Sequence, residues 1–355
     1  MDNSIENGRF SLESRRYIGC KTKLIDWIFS LIEEHTHDVH SFCDIFAGTG
    51  VVAHRALQKY ERVVVNDFLH SNNIMYHAFF APGEWNEERI QSIIDSFNAI
   101  NPRRLGENYF SKNFGGKYFH HDTAKIVGYI RGRLRDMHAN LTDKEYAVLM
   151  ASLIYSIDRY ANTMGHFDAY HHKDPEAHDF NMRMIRAESY NDVEIFREDA
   201  NSLARRIDVD LTYIDPPYNS RQYSRFYHVY ENLVQWKKPP LFGAALKPKE
   251  ENMSDYCRNA ALSAFIDLVS HLKSRYLVIS YNNTYHSKSS SSENKIKLEQ
   301  LEEVLDKCGK TQVFNHEFKA FNSGKTEFDD HREYLFITEV DDEKRNQSFP
   351  NVLRG

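Results

Sequence analysis

The chain has 355 residues, of which 41% are hydrophobic and 13% aromatic, and its 45 Lys and Arg against 51 Asp and Glu give a net charge of −6. This composition is typical of a globular protein and excludes a disordered or collagen-like chain. The four cysteines are scattered without a Cys-x-x-Cys pair, which argues against a zinc site or a disulfide framework and favours a reducing cytoplasm. No run approaches the roughly 18 apolar residues of a membrane span, and the first residues do not resemble a secretory signal.

The first predicted elements have the pattern of an α/β sheet. A strand over 41–46 runs into the turn Ala47-Gly48-Thr49-Gly50, a helix follows over 51–57, and a β-branched strand over 62–67 ends in an aspartate. The order strand, glycine turn, helix, strand predicts the opening of a parallel sheet.

The middle of the chain is predicted to be mainly helical. Amphipathic helices are expected at 87–97, 124–137 and 142–160, and Thr142 followed by Glu145 indicates a capping box. This segment interrupts the strand pattern, so we interpret 70–188 as an inserted domain.

The strand pattern resumes after the insertion. Further strands are expected at 193–196, 211–215, 276–281 and 334–338, and helices at 261–274 and 297–307. We therefore expect a discontinuous catalytic domain over 1–69 and 189–340, followed by a polar tail over 341–355.

The first turn carries features of a nucleotide-type site. Gly48 and Gly50 let a ligand lie against bare backbone near a helix N-terminus. Asp67 ends the next strand 23 positions after Asp44, near the roughly 20-residue offset at which nucleotide-binding domains place an acid on ribose hydroxyls. The alternative is a tight turn that packs a helix on a sheet beside a solvent-facing acid.

A more specific motif, Asp215-Pro216-Pro217-Tyr218, follows the apolar strand at the edge where open α/β sheets bind ligands. The prolines make the loop rigid and leave its carbonyls free to accept. The Asp215 carboxylate and the Pro216 carbonyl could accept both amino protons of an adenine, while Tyr218 stacks on the base, a contact worth about 1–3 kcal/mol. The alternative is a proline-rich turn with a capping aspartate and a core tyrosine.

Together, the 44–50 turn and the 215–218 loop resemble the D12-class, α-group DNA adenine-N6 methyltransferases, which use S-adenosylmethionine. The segment 16–21 resembles their N-terminal cofactor motif, 198–200 their acidic turn, and 219–223 a stretch that lines the target-base pocket. The resemblance covers the chain from about Arg15 to Val340.

The resemblance implies a Rossmann-like S-adenosylmethionine-dependent methyltransferase sheet with an inserted, mainly helical target-recognition domain. The implied cofactor contacts are Tyr17, Lys21, Asp44, Phe46, Gly48, Gly50, Asp67, Asp199 and Asp215. The implied catalytic loop is Asp215, Pro216, Pro217 and Tyr218, and the implied base contacts are Tyr218, Asn219, Tyr223 and Tyr227.

DNA is the implied substrate, and basic residues of the insertion are expected to contact its phosphates. We favour Arg103, Arg104 and a loop over 109–118 as the contacting piece. Further candidates are Lys112, Lys117, Arg131, Arg133 and Arg135. No metal is expected, because His120-His121 and His171-His172 lack partners at metal-ligand spacing.

The predicted function is site-specific transfer of a methyl group to N6 of an adenine flipped out of double-stranded DNA, in a cytoplasmic enzyme of bacterial or phage type. This function allows for a cognate restriction endonuclease that acts on the same site without stable association. One alternative is a methyltransferase of RNA adenine or another amino group, which the long helical insertion disfavours. The other is a non-catalytic nucleic-acid-binding homologue, which the intact Asp215 disfavours.

Overall fold

The computed structural model describes residues 5–6, 8–217, 219–283, 293–317 and 332–350. The chain forms two compact units. The sheet unit comprises 20–68, 192–223 and 252–355, and the helical unit comprises 1–19, 69–191 and 224–251.

The sheet unit is built on a seven-stranded sheet. Its strands are β1 (Ser41–Asp44), β2 (Arg62–Asn66), β3 (Val193–Phe196), β4 (Leu211–Ile214), β5 (Tyr276–Asn282), β6 (Gly309–Glu317) and β7 (Arg332–Val340). They lie in the order β6-β7-β5-β4-β1-β2-β3. The five strands β5, β4, β1, β2 and β3 pair in parallel, whereas β7 is antiparallel to both of its neighbours, β5 and β6. The carboxyl ends of five strands therefore meet at one edge.

The central strands are apolar because the sheet is buried on both faces. Val63, Val64 and Val65 are all fully buried, and Val64 shares a core with Phe265 and Leu305 of the neighbouring helices. The helices of this unit are Ile25–His35, Val51–Leu57, Ala200–Ala204, Ala261–His271, Leu298–Cys308 and Asp342–Ser348.

The predicted parallel opening and the later strands are confirmed, whereas two C-terminal elements were not expected. Strand β6 was missed because its side chains are mostly polar and exposed. The predicted polar tail over 341–355 contains a helix at Asp342–Ser348, and 351–355 lie outside the described residues. The helix is anchored by Arg345, whose guanidinium donates to the Leu272 carbonyl at 2.6 Å.

The helical unit contains the helices His70–Phe79, Glu87–Asn98, Tyr109–Phe114, His121–Met137, Asp143–Asp158 and His228–Gln235. The short helix Tyr223–Phe226 begins at the last residue of the sheet-unit segment 192–223. In Asp143–Asp158, 14 of the 16 residues are buried, so this helix is the centre of the unit. The predicted capping box is confirmed: the Glu145 amide donates to the Thr142 hydroxyl and the Thr142 amide to the Glu145 carboxylate, each at 3.1 Å.

Two segments outside the predicted insertion also fold into the helical unit. The Phe10 amide donates to the Met184 carbonyl at 3.1 Å, which ties 1–19 to the insertion. The Tyr230 hydroxyl donates to Asp158 at 2.6 Å, which ties 224–251 to the central helix. Neither long-range contact has a local sequence signal.

Two expectations about the DNA-contacting residues are wrong. The segment 109–118 is not a free loop, because it contains the helix Tyr109–Phe114 and fully buries Phe110 and Tyr118. Arg131 is 4% exposed, and its guanidinium donates to the carbonyls of Leu233 and Val234. It therefore caps the C-terminal end of the helix His228–Gln235 and is not available to a phosphate.

Candidate active site

Backbone amides of the turn after β1 and of the helix Val51–Leu57 that follows it donate to two carboxylates. Asp44, the last residue of β1, accepts a hydrogen bond from the Ala53 amide at 3.1 Å. Asp67, just beyond β2, accepts one from the Gly48 amide at 3.0 Å. Gly48 and Gly50 have φ of +53° and +83°, values that glycine adopts without steric cost, and Gly50 precedes the helix Val51–Leu57. The predicted turn therefore has the expected strand–turn–helix geometry.

Asp44 is 1% exposed, and burial raises the pKa of its carboxyl well above the usual value, with further contributions from the nearby Asp215 and Asp67. Its second oxygen, Oδ1, has no hydrogen-bond partner among the described residues. A buried acceptor without a partner costs free energy unless a ligand supplies a donor.

Asn66 links the turns that follow β1 and β3. Its side-chain amide donates to the carbonyls of Ile45 and Glu198 at 3.1 Å each, and its oxygen accepts from the Glu198 amide at 3.0 Å. Asn66 was not predicted as a site residue, although a polar residue at the end of an apolar strand was a usable signal.

Asp215 follows β4 and forms a buried ion pair with Lys21. The Lys21 ammonium lies 3.0 Å from the Asp215 carboxylate and 3.0 Å from Glu333, whose side chain is 4% exposed. Burial opposes the charge on Lys21, but the two carboxylates outweigh it and raise the pKa of Lys21 above its usual value. The structure therefore brings together the predicted residues Lys21, Asp44, Gly48, Gly50, Asp67 and Asp215 within the sheet unit.

Glu333 is a site residue that the sequence analysis missed. It lies in β7 beside β5, where the Ser280 hydroxyl donates to its carboxylate at 2.7 Å. An acidic residue at the start of an apolar strand is common on protein surfaces, so no local signal marked it.

Residues that follow the 215–218 loop are held within the sheet unit by backbone and amide contacts. Gln222 exchanges two hydrogen bonds with the backbone of Ser254, at 2.9 and 2.8 Å. Asn219 forms an isolated antiparallel β-bridge with Asn294. Tyr223 is the first residue of the helix Tyr223–Phe226. Tyr218 lies outside the described residues.

Two other predicted cofactor residues have structural partners of their own. Asp199 is exposed and accepts from the Ser202 amide at 3.0 Å, so it caps the helix Ala200–Ala204. The Phe46 ring is half-buried and packs edge-on against Tyr256 at 5.0 Å.

In the helical unit, Tyr17 is fixed by aromatic and cationic neighbours. Its ring stacks on Tyr227 with centroids 4.6 Å apart, and the Arg15 guanidinium lies 4.7 Å from its centroid. Tyr227 is 1% exposed, and its hydroxyl accepts from the Ile18 amide at 2.9 Å. Arg103 and Arg104, in the short turn Pro102–Arg104 of the same unit, are exposed.

Comparison with known proteins assigns the chain to a protein family. The D12 class N6 adenine-specific DNA methyltransferase model matches residues 17–274. The chain belongs to this family.

Three relatives illustrate the match. Type II methyltransferase M.CviAII of Paramecium bursaria Chlorella virus 1 is 29% identical over 92% of this chain and 98% of its own length. Type II methyltransferase M.NlaIII of Neisseria lactamica is 26% identical over 91% of this chain and 98% of its own length. Modification methylase StsI of Streptococcus sanguinis is 32% identical over 76% of this chain and 44% of its own length.

The chain is thus a site-specific DNA adenine-N6 methyltransferase, as the resemblance of its motifs indicated. DNA is the substrate of this family, and the reaction needs a methyl donor. The largely parallel sheet is consistent with an S-adenosylmethionine-dependent methyltransferase fold. In the described part of the chain, no helix is long and apolar enough to cross a membrane, and no group of three or more His, Cys, Asp or Glu could hold a metal ion.

Proposed function

We propose that this enzyme transfers the methyl group of S-adenosylmethionine to N6 of an adenine flipped out of duplex DNA, with Asp215 and the Pro216 carbonyl as the acceptors for the amine. The observation that carries the proposal is the buried Lys21–Asp215 pair at the carboxyl end of β4. An adjacent ammonium favours the charged form of a carboxyl, and a carboxylate suits a group that must accept a hydrogen bond from the target amine.

The residues of the first turn fit the cofactor. Asp44 Oδ1, a buried acceptor with no hydrogen-bond partner in the described part of the chain, is suited to the amino group of the methionine moiety. Asp67 would accept from ribose hydroxyls, and the backbone at Gly48 and Gly50 offers a surface without side chains. When bound, S-adenosylmethionine supplies an electrophilic methyl group on a sulfonium.

The protein's part in the chemistry is to position and polarise the amine. The lone pair of N6 is delocalised into the adenine ring, so the amine becomes nucleophilic when acceptors hold its protons. Asp215 and the Pro216 carbonyl would hold one proton each, and Tyr218 would stack on the base. The base must leave the helix first, because N6 is out of reach inside a duplex. In a direct transfer the N6–C bond would form as the S–C bond breaks, which would leave S-adenosylhomocysteine and release one proton from the amine. Most of the rate gain would then come from orientation and electrostatics.

The aromatic pair of the helical unit supports a division of roles. Tyr17 is half-buried and would contact the cofactor, whereas Tyr227 is buried beneath it. This burial favours a positioning role for Tyr227 over the base contact that the sequence suggested. Asn219 and Tyr223 remain our proposed contacts to the base. Asp199 and Phe46 remain proposed cofactor contacts, since capping a helix through one oxygen leaves the other carboxylate oxygen of Asp199 for a ligand.

We assign target recognition to the helical unit, with the insertion 70–188 as its main part. This unit has 22 basic and 21 acidic residues, whereas the sheet unit has 23 basic and 30 acidic ones. The negative charge of the chain is therefore concentrated away from the insertion. Exposed Arg103 and Arg104 are our proposed phosphate contacts. A cognate restriction endonuclease would act on the same DNA site without binding this chain stably.

A methyl-transfer assay of the variant Asp215→Ala tests the proposal. We expect the variant to bind S-adenosylmethionine but to transfer no methyl group to DNA, because Asp215 acts chiefly on the amine. The control is Asp306→Asn, which removes an exposed carboxylate from the same unit. Labelled cofactor would be offered with duplex DNA, RNA and protein separately. Turnover of Asp215→Ala within a few-fold of the wild type, or transfer mainly to RNA or protein, would refute the proposal.

A further inference from the structure

The buried ion pair at Asp215 has a third member that lies far away in the sequence. Glu333 Oε1 is 3.0 Å from the Lys21 ammonium and accepts from the Ser280 hydroxyl at 2.7 Å. Lys21 and Glu333 are each 5% exposed or less, and Asp215 is 15% exposed. The three charged groups therefore form one largely buried cluster with one cation and two carboxylates.

A buried cluster of this kind is a weak device for stability. Removing charges from water costs free energy that their attraction only partly restores, so a packed apolar group at 333 would serve the sheet equally well. Desolvated charge clusters beside a ligand edge are instead typical of sites where a group must be held in one position and one charge state.

The sheet register explains how Glu333 can hold Lys21. Strand β7 runs antiparallel to β5, and Glu333 pairs with Asn282, two residues along β5 from Ser280. Both strands are rigid parts of the sheet, and the Ser280 hydroxyl fixes the same carboxylate oxygen that Lys21 contacts. The ammonium is thus held from the side of β7, and it contacts Asp215 through Oδ2.

We propose that Glu333, oriented by Ser280, is a positioning residue for methyl transfer. It fixes the Lys21 ammonium against one oxygen of Asp215, and the positive charge of Lys21 is shared between the Asp215 and Glu333 carboxylates. The inference rests on the role proposed above for Asp215. With Glu333 present, Lys21 orients Asp215 without neutralising it fully. Asp215 then stays a strong acceptor for the target amine.

Glu333→Gln keeps the shape and the acceptor but removes the charge. Lys21 would then lose the charge of one carboxylate partner and interact more strongly with Asp215, which weakens Asp215 as an acceptor and shifts its position. We expect the single-turnover rate of methyl transfer to fall by about 10–100-fold. We expect S-adenosylmethionine affinity to stay within about three-fold, because the substitution leaves the implied cofactor contacts Lys21 and Asp215 in place.

The pH profile separates this role from a structural one. A neighbouring negative charge disfavours ionisation of a carboxyl, so its removal should move the acidic limb of the single-turnover rate to lower pH. Lys21, Asp44 and Tyr213 also interact electrostatically with Asp215, and the substitution leaves all three in place. General destabilisation would lower activity without moving the limb in this direction.

The matched control is Glu339→Gln, which removes the same charge from an exposed position on the same strand. It should leave the rate and the profile unchanged. If Glu333→Gln does not fold, Ser280→Ala takes its place: it removes the hydroxyl that donates to Glu333, which also lies beside Tyr213, and should lower the single-turnover rate several-fold.

Asp215→Ala, measured in the same assay, keeps the two proposals distinguishable. A wild-type rate and an unmoved acidic limb in Glu333→Gln, beside an inactive Asp215→Ala, would overturn the role of Glu333 and leave the proposed function standing. An active Asp215→Ala would overturn both. A wild-type rate in Ser280→Ala, where that variant has to decide, would likewise overturn the role of Glu333.

Discussion

Asp44 shows at the level of one residue how a binding site is set against stability. Its carboxyl is buried and lies near Asp215, and one of its oxygens has no partner among the described residues. Burial raises its pKa, so the charged form is less favourable in the folded chain than in the unfolded one. A ligand with a cationic or amino group would relieve this cost.

Asp44→Asn is therefore expected to raise the melting temperature by a few degrees at neutral pH while it weakens binding of S-adenosylmethionine. The sign follows from the raised pKa: the folded state binds the proton more tightly, so the cost in the wild type grows as pH rises above the usual carboxyl value. The gain should vanish below about pH 4, where both states of the wild type are protonated. Thermal unfolding of both proteins across pH checks this, and equal melting temperatures at pH 7 would contradict it.

Gly48 and Asp67 act as a pair at the same turn. Gly48→Val should weaken S-adenosylmethionine binding, because Gly48 has a φ of +53° that a β-branched residue adopts only with strain. Asp67→Ala should also weaken it, since it removes both the proposed ribose acceptor and a partner of the Gly48 amide. DNA binding should change less. Calorimetric titration measures both, and unchanged cofactor affinity would show that the turn is only structural.

At the scale of elements, the helix His121–Met137 carries two glycines one turn apart with opposite surroundings. A Cβ on Gly128 would lie 1.9 Å from Asn108 Oδ1, whereas a Cβ on Gly132 would meet no atom within 4 Å. Asn108 cannot move away cheaply, because its side chain caps the helix Tyr109–Phe114 and donates to the Lys125 carbonyl at 2.9 Å.

We expect Gly132→Ala to stabilise the protein by about 0.5–1 kcal/mol, the usual gain in a helix interior. Gly128→Ala should destabilise it by about 1–2 kcal/mol, since it displaces a helix cap. Denaturant unfolding of the two variants gives both values, and each serves as the control for the other. A stabilising Gly128→Ala would mean that Asn108 is not held as its contacts indicate.

At the scale of the whole molecule, the uneven charge of the two units predicts where DNA phosphates are met. Replacing Arg103 and Arg104 together by Ala should weaken binding about equally for all DNA sequences and reduce the salt slope by about 2. Lys307→Ala with Lys310→Ala removes the same charge from exposed positions of the sheet unit and should have no such effect. Binding titrations at several salt concentrations measure the slope. If the loss falls on one base position instead, an arginine reads a guanine edge.

The helical unit is formed by separate segments of the chain, and this predicts which of them must be exchanged to change the specificity. Exchanging 70–188 alone with a relative's segment would leave 224–251 facing foreign partners, because Tyr230 bonds to Asp158 and Tyr109 bonds to the Pro239 carbonyl. We expect a stable enzyme with altered specificity only when both segments are exchanged together. Thermal unfolding and sequencing of methylated sites check this for the two chimaeras. Equal stability of both would show that these contacts are not decisive.

Elements and motifs with local signals could be predicted from the amino-acid sequence. The glycine turn after β1, the apolar strands and the capping box at Thr142 each depend on neighbours within a few residues, so their patterns are visible in the chain. The 215–218 motif and the 44–50 turn were likewise sufficient to indicate the family.

Contacts between distant residues could not be predicted in this way and are visible only in the folded chain. Glu333 comes 312 positions after Lys21, and sheet pairing brings both carboxylates to one ammonium. Arg131 and Tyr118 are of residue types that often contact DNA, yet long-range packing buries both side chains. Strand β6 pairs with β7 through its backbone, which carries no side-chain signal. Burial and pairing are properties of the assembled chain, because each depends on what the fold places opposite a residue and not on the residue's own neighbours.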